Sequence, residues 1–507
     1  MLRTRGYLFG VIPFWLDEGS WAQMLTDEPI LDQLIRPLGF VTFSKLMALG
    51  FGLREVSLRF LPWVSGLSAM LLAVPLSRRL FESRAARLLF IAILALHPNA
   101  IDFAKEFKPY SVSLGLHVAC ALAAATYARS QKTGWLILTM SLAGFGILFA
   151  QDTLFVCPGV YLVIGYTAYR ARKYRHLAFG AAGAALSVAL ILGLYFLVWS
   201  RIDTGGGSDT NYWGKKYDVF YLEGRSPGTL WSWTFAKLGE LAAMPGVRRE
   251  LWPEHHVFSR EVAERLQSVD VKLWWCLAAL GLVSFAVRRR IVPLLLLVTP
   301  LLVFTAFGLL GYWPYGYFRT NLFALFYSAA FAAAAFDLPL PKAVGVSRWR
   351  SAVPALALVV LPLLVFERDW HRFKESTITG NFPIHEVFAT LLELQGRRPA
   401  DGEPDVLVID LDGCPLWELY TQRHPDYVEL GKELQRRFRM ECAHRKRGSS
   451  FTYGQRRRRH YDKTRVWYVL SRELEEFPKD LPDDLDVIGK RWIGVSQSTL
   501  VIGLSSS

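Results

Sequence analysis

Charge is scarce in this sequence of 507 residues. Asp, Glu, Lys and Arg together make up 20% of it, against 52% hydrophobic residues. Soluble domains carry roughly 25% charge. The apolar residues come in long unbroken blocks, which excludes a disordered chain and an ordinary single-core globule. Cysteine is also sparse, at five residues, which excludes a disulfide-built scaffold. Cys120, Cys157 and Cys276 lie in apolar blocks and read as packing residues, whereas Cys414 and Cys442 lie in the polar C-terminal stretch. There is no C-x2-C pair of the kind that holds zinc, no G-x-G-x-x-G after the first strand signal and no G-x-S-x-G. Internal repeats are absent, and low complexity is confined to Ala332–Ala335 and Arg456–Arg459.

The apolar blocks that are present have the length of membrane spans. They run over 57–77, 86–101, 109–128, 134–150, 153–169, 177–199, 271–287, 291–310, 320–336 and 352–366. A shorter stretch, Tyr7–Leu16, predicts the end of a first span that begins upstream of Met1. Leu38–Leu53 is apolar but carries Lys45, and reads as an interfacial helix. The fold class expected is therefore a polytopic α-helical membrane protein of about 10–11 spans, with a C-terminal extracytoplasmic α/β domain. Residues 1–366 form the membrane part, including a long polar and aromatic loop at 200–270, and residues 367–507 form the soluble domain. Within that domain Asp405–Asp410, Val466–Ser471, Asp486–Gly494 and Ser498–Leu504 read as strands, and Ile384–Gln395 and Tyr427–Ala443 as helices. This order favours a small, partly parallel sheet.

The net charge of +14 invites a nucleic-acid reading, which its distribution rejects. From Glu367 onward there are 23 basic and 23 acidic residues, so the whole excess belongs to the membrane part. There, 18 Lys and Arg fall in alternate short loops with two acids, Glu82 and Asp337, whereas the opposite loops carry seven basic residues. The first set is expected on the cytoplasmic side. Asp17-Glu18, the 97–109 stretch, the 200–270 loop and the tail then lie outside, in a bacterial inner (cytoplasmic) membrane.

Two polar clusters fall on that outer face. Asp17-Glu18 follows the first apolar stretch directly. It reads either as a pair of solvated loop acids or as a carboxylate placed to take a proton from a hydroxyl nucleophile. His97-Pro98-Asn99 with Asp102, Lys105, Glu106, Lys108, Pro109 and Tyr110 reads either as an interfacial loop with snorkelling lysines or as a phosphate and sugar site. Gln151-Asp152 reads as a helix-end acid, and Glu254-His255-His256 reads either as a solvated loop or as a metal or substrate contact. Trp213, Trp231 and Trp233 read either as interface anchors or as platforms that stack on sugars, the first being favoured. The Arg445–Arg459 run is either a solvated loop or a grip for anionic glycan or head groups.

The order of these elements resembles the GT-C superfamily of membrane glycosyltransferases. The branch is that of the protein O-mannosyltransferases and the lipid A aminoarabinose transferase, glycosyltransferase family 39-like. The resemblance is carried by Asp17-Glu18 after the first apolar stretch, by Glu55 to Pro62 and by Leu80-Phe81. It is carried further by Glu106, Lys108, Pro109 and Tyr110, and by Tyr315-Gly316-Tyr317-Phe318-Arg319 before a late span. It is good over about 13–130, weaker over 200–330 and architectural in the tail. The family's Pro-Pro-Leu-Tyr-type element reads here Arg36-Pro37-Leu38-Gly39-Phe40, without the tyrosine.

The resemblance implies an inverting transferase that moves a sugar from a polyprenyl-phosphate donor to an extracytoplasmic acceptor, whether glycan, lipid or protein. Asp17 would be the base and Glu18 its support. Arg59, Lys105, Glu106, Lys108, Tyr110 and Arg319 would bind donor phosphate or sugar, with Asp102 and His97 as further substrate contacts. No metal site is expected and no cofactor is indicated, although a divalent metal stays open. Membrane lipids are partners and nucleic acid is not. The tail is expected to cap the outer face and guide the acceptor. Two alternatives remain, a lipid-linked glycan transporter or flippase and a non-catalytic envelope assembly protein.

Overall fold

The structure, a computed structural model, describes residues 14, 16–27, 36–197, 227–242, 260–316, 319–338, 384–395, 404–410, 414–443, 466–471, 485–493 and 499–506. It forms two compact units. The first comprises Met1–Thr4, Ile30–Phe43 and Arg59–Glu367, and the second Arg5–Pro29, Ser44–Leu58 and Arg368–Ser507. Two short N-terminal segments thus group with the C-terminal residues, across the chain-order division at 366.

The described helices are α1 (Leu16–Asp27), α2 (Leu38–Phe51), α3 (Glu55–Leu58), α4 (Phe60–Leu80), α5 (Arg84–Leu96) and α6 (Pro98–Asp102). They continue with α7 (Tyr110–Ser130), α8 (Thr133–Phe149), α9 (Val156–Arg170), α10 (Tyr174–Leu197), α11 (Pro227–Ala242), α12 (Arg260–Val287), α13 (Ile291–Leu309) and α14 (Ala324–Ala334). The C-terminal ones are α15 (Ile384–Gln395), α16 (Cys414–Gln422) and α17 (Val428–Arg437). Nine of the ten expected span positions hold a helix, and the tenth, 352–366, lies outside the described residues. Among the described helices, α4, α7, α10 and α13 are long and apolar enough to cross a membrane, and the chain is an integral membrane protein.

In the first unit α7 is the central helix, with almost every side chain from Ser111 to Tyr127 buried. Lipid gives no hydrophobic drive to join helices, so small residues at the contacts let backbones approach closely. Gly115 of α7 faces the Ser65 carbonyl of α4, and Gly159 of α9 faces the Leu295 carbonyl of α13. A β-carbon at Gly281 of α12 would run into the backbone of Phe331 in α14. Large apolar side chains such as Leu71, Leu186 and Phe196 remain exposed, as side chains facing acyl chains would be. Trp231 is exposed. Trp233 is buried against Tyr315, with ring centres 5.7 Å apart, and is a core residue instead.

The end of this unit that carries Arg78 and Arg79 is tied by a polar knot. The buried Asp337 carboxylate accepts from the backbone N–H groups of Glu82 and Ser83, at 2.8 and 2.6 Å. These are orphan donors at the start of α5, which Ser83 caps by accepting from Ala86 N–H at 3.0 Å. Arg288 donates to the Asp337 carbonyl at 2.7 Å and pairs with Glu82. Arg290 donates to the Leu80 carbonyl, and its guanidinium lies 3.8 Å from Asp337. The two acids counted against 18 basic residues in the sequence are therefore both engaged here.

The second unit holds a five-stranded sheet. Its strands are β1 (Asp405–Asp410), β2 (Phe438–Ala443), β3 (Val466–Ser471), β4 (Leu485–Ile493) and β5 (Thr499–Ser506), in the order β2-β1-β3-β5-β4. β1 runs parallel to both neighbours, whereas β3, β5 and β4 pair antiparallel. The expected partly parallel sheet is present. One boundary differs: the helix expected over Tyr427–Ala443 ends at Arg437, and Phe438 turns extended (φ −131°, ψ 130°) to begin β2. A parallel partner must return by a crossover, and α16 and α17 supply it between β1 and β2. Asp405 is fully buried and accepts from the Trp467 indole N–H at 3.0 Å.

Asp337→Ala removes a buried carboxylate and strands two backbone donors and Arg290. It should cost about 3 kcal/mol, seen as a lowered Tm of purified protein in detergent. Exposed Lys173→Ala should leave the Tm unchanged.

Candidate functional site

The 97–110 segment of the first unit is built by proline and by a change of helix type. α5 ends at His97, whose backbone is extended (φ −63°, ψ 123°), and Pro98 opens α6 where a missing N–H costs nothing. The chain bends by 53° there. A 3-10 turn, Phe103–Lys105, follows and lies against α4. Glu106 is extended (φ −101°, ψ 141°), and Lys108 N–H returns to the Glu106 carbonyl at 2.8 Å before α7 starts at Tyr110. Aromatic contacts fix the turn, with Phe107 stacked on Phe40 at 5.5 Å and Phe103 edge-on to Tyr110 at 5.3 Å.

The segment is polar yet largely withdrawn from solvent. His97, Asn99, Glu106 and Lys108 are buried, Lys108 at 2% exposure. Lys105 pairs with Asp102 at 3.3 Å, both partly shielded. Arg59, in the turn between α3 and α4, is buried to the same 2%. Two further buried polar atoms, Asn99 Nδ2 and Ser111 Oγ, have no hydrogen-bond partner among the described residues. Charges held this dry act on a neighbouring anion far more strongly than they would in water.

The remaining expected residues are distributed as follows. Arg319 lies on a 3-10 turn, Arg319–Asn321, that packs against α7, and Phe323 just beyond it stacks on His117 at 4.7 Å. Asp17 and Glu18 lie in the first turn of α1, in the second unit, and Glu18 is fully buried. Carboxylates suit that turn of a helix. His255, His256, Trp213 and the Arg445–Arg459 run lie outside the described residues, as do the side chains of Asp17, Arg319, Cys414 and Cys442. Among the described residues no three His, Cys, Asp or Glu gather as a metal site.

Sequence reading missed one buried network. Asp152, in the turn between α8 and α9, is 5% exposed and accepts from Ser113 of α7. Its carbonyl contacts His117 Nε2 at 3.2 Å, and His117 Nδ1 meets the Tyr327 hydroxyl at 2.7 Å. Ser113 and His117 stand at i and i+4 on one face of an apolar helix, which is the signal that points to them. The network pins the start of α7, immediately after Lys108 and Pro109, to the turn between α8 and α9. Burial pushes the Asp152 carboxyl up from its ordinary 3.8 to about 7, against the Ser113 hydrogen bond and backbone N–H groups, which lower it. The folded state then holds this proton better than the unfolded state does, so the contribution is present at low pH and fades as pH rises through 7. The Tm advantage of wild type over Asp152→Asn should shrink as pH rises from about 4 to 7, and a difference that stays constant across that range would contradict this.

Residues 36–201 match the family described as dolichyl-phosphate-mannose-protein mannosyltransferase. No curated protein matches the chain in sequence. Among solved structures, ArnT from Cupriavidus metallidurans in the apo state is 13% identical with a TM-score of 0.47, and the same protein bound to undecaprenyl phosphate is 12% identical with a TM-score of 0.48. Each alignment covers 99% of this chain and 96% of the other. Over the segment 36–201, which holds Arg59 and the whole 97–110 loop, the family match bears out the resemblance to membrane glycosyltransferases of the GT-C superfamily.

Proposed function

We propose that this protein is a membrane glycosyltransferase that moves a sugar from a polyprenyl-phosphate donor to an acceptor hydroxyl outside the cytoplasm, with inversion at the anomeric carbon. The observation that carries the reading is that the segment similar to dolichyl-phosphate-mannose-dependent enzymes holds Arg59 and Lys108 buried at its polar end. When the sugar departs, negative charge develops on the phosphate, and fixed cations in a dry site stabilise it without reorganisation. In this scheme Arg59, Lys105, Lys108 and Arg319 face that charge, and Glu106, Tyr110, Asp102 and His97 contact sugar or acceptor. Asp17, supported by Glu18, takes the proton from the attacking hydroxyl. Attack from the side opposite the phosphate passes through an oxocarbenium-like state. The acceptor class is glycan, lipid or protein.

The test is purified protein incubated with radiolabelled polyprenyl-phosphate sugars, reading release of polyprenyl phosphate. Wild type should turn over one donor. Asp17→Asn should slow it by roughly 10²–10⁴-fold, and Lys108→Ala by about 10²-fold or more. Donor flipping in proteoliposomes that survives Asp17→Asn, without transfer, would favour the transporter reading.

Sidedness has its own check. In spheroplasts, Lys432→Cys in the C-terminal unit should react with an impermeant maleimide, while Lys173→Cys should react only after the membrane is opened. The reverse pattern would put the soluble domain in the cytoplasm and remove this reading.

A further inference from the structure

We propose that the C-terminal domain is a positioning scaffold for the Asp17–Glu18 helix, acting through three contacts within the second unit. The proposal rests on the reading of Asp17 as the base. Helix α1 packs on α16 of the C-terminal domain. The first contact precedes the acids: Phe14 backbone N–H donates to the Tyr420 hydroxyl at 2.9 Å, and the two rings meet edge-on at 6.3 Å. The second follows Glu18 directly, since a β-carbon at Gly19 would run into the fully buried Leu416 side chain. The third lies one turn further on, where Gln23 Nε2 donates to the Glu418 carboxylate. The acids at 17 and 18 are thus bracketed on both sides by contacts to a single helix.

That helix is itself held in place. The Tyr420 hydroxyl donates to Glu55 Oε1, so its one proton is committed and its lone pair faces Phe14. His424 contacts the other carboxylate oxygen of Glu55 at 3.0 Å. Asp426 N–H donates to His424 Nδ1 at 3.3 Å, which puts the imidazole proton on Nε2, toward Glu55. Tyr420 and His424 stack at 4.8 Å, with Tyr427 edge-on to both. Glu55, Tyr420 and His424 are all buried, and each polar atom named here is matched. Arg54 and Asp426 add an ion pair at 3.0 Å, half exposed and therefore minor. Gly52, at φ +81°, makes the turn under Pro425 that only glycine adopts without strain.

A fully satisfied buried network of this kind fixes one arrangement. A reacting carboxylate needs such fixing, because a displacement of about 1 Å can cost roughly 10²-fold in rate. Tyr420, Leu416 and Glu418 are accordingly positioning residues, and loosening them should lower kcat while leaving the donor KM in place.

The experiment measures kcat and donor KM of full-length protein in four variants: Asp17→Asn, Tyr420→Phe, Gly19→Ala and Gly19→Ala with Leu416→Ala. A Tm within a few degrees of wild type for each variant shows that the fold is intact. Tyr420→Phe and Gly19→Ala should each lower kcat about tenfold or more, with KM within twofold. Adding Leu416→Ala should restore much of the Gly19→Ala loss by giving the new methyl room, a recovery that general destabilisation would not give. If Asp17→Asn abolishes turnover but Tyr420→Phe and Gly19→Ala do not change kcat, or Leu416→Ala gives no recovery, the scaffold proposal alone is overturned. If Asp17→Asn leaves turnover intact, both the base assignment and the scaffold fail.

Discussion

Charge taken out of water is the constraint around which this protein is arranged. An arginine or lysine buried to 2% exposure is sustained only by compensating groups or by use. Arg59 and Lys108 are buried to that degree, and Glu106, His97 and Asn99 of the 97–110 segment are buried too. Asp337 meets the same condition differently. It is matched by two backbone donors and by Arg290, so that its charge serves to hold helix ends together. The same physics holds helix ends together at Asp337 and, in our proposal, serves the donor phosphate at Arg59 and Lys108.

Much of this was legible in the sequence for identifiable reasons. A span needs about twenty apolar residues, and helices fill the expected blocks wherever the chain is described. β1 was readable because a strand flanked by parallel neighbours on both sides is apolar throughout, as in Val406–Ile409. The basic asymmetry of the short loops marked which loops belong together, although it gave no hint that Glu82 and Asp337 were already spoken for by Arg288 and Arg290.

The failures were equally physical. Phe438–Ala443 follows a helix without a glycine or proline to stop it, so periodicity carried the helix too far. Asp152 looked like any acid between two apolar blocks, because its partner Ser113 lies 39 residues away. Glu55 and Tyr420 are 365 residues apart, and no spacing rule links them. Residues that a sequence reading splits between an N-terminal membrane part and a C-terminal soluble part belong to one compact unit. That grouping is what lets the C-terminal domain hold the Asp17–Glu18 helix in our proposal. It also gives a reason for Gly19 to be glycine that helix propensity alone would oppose.

The central claim is that the buried cations of the first unit receive a polyprenyl phosphate. Binding of a short-chain polyprenyl phosphate without sugar, followed by native mass spectrometry of the purified protein, isolates that claim from catalysis and from the identity of the acceptor. Binding should weaken at least tenfold in Arg59→Gln and in Lys108→Gln and stay unchanged in Asp17→Asn. Equal binding by wild type and both cation variants would contradict it.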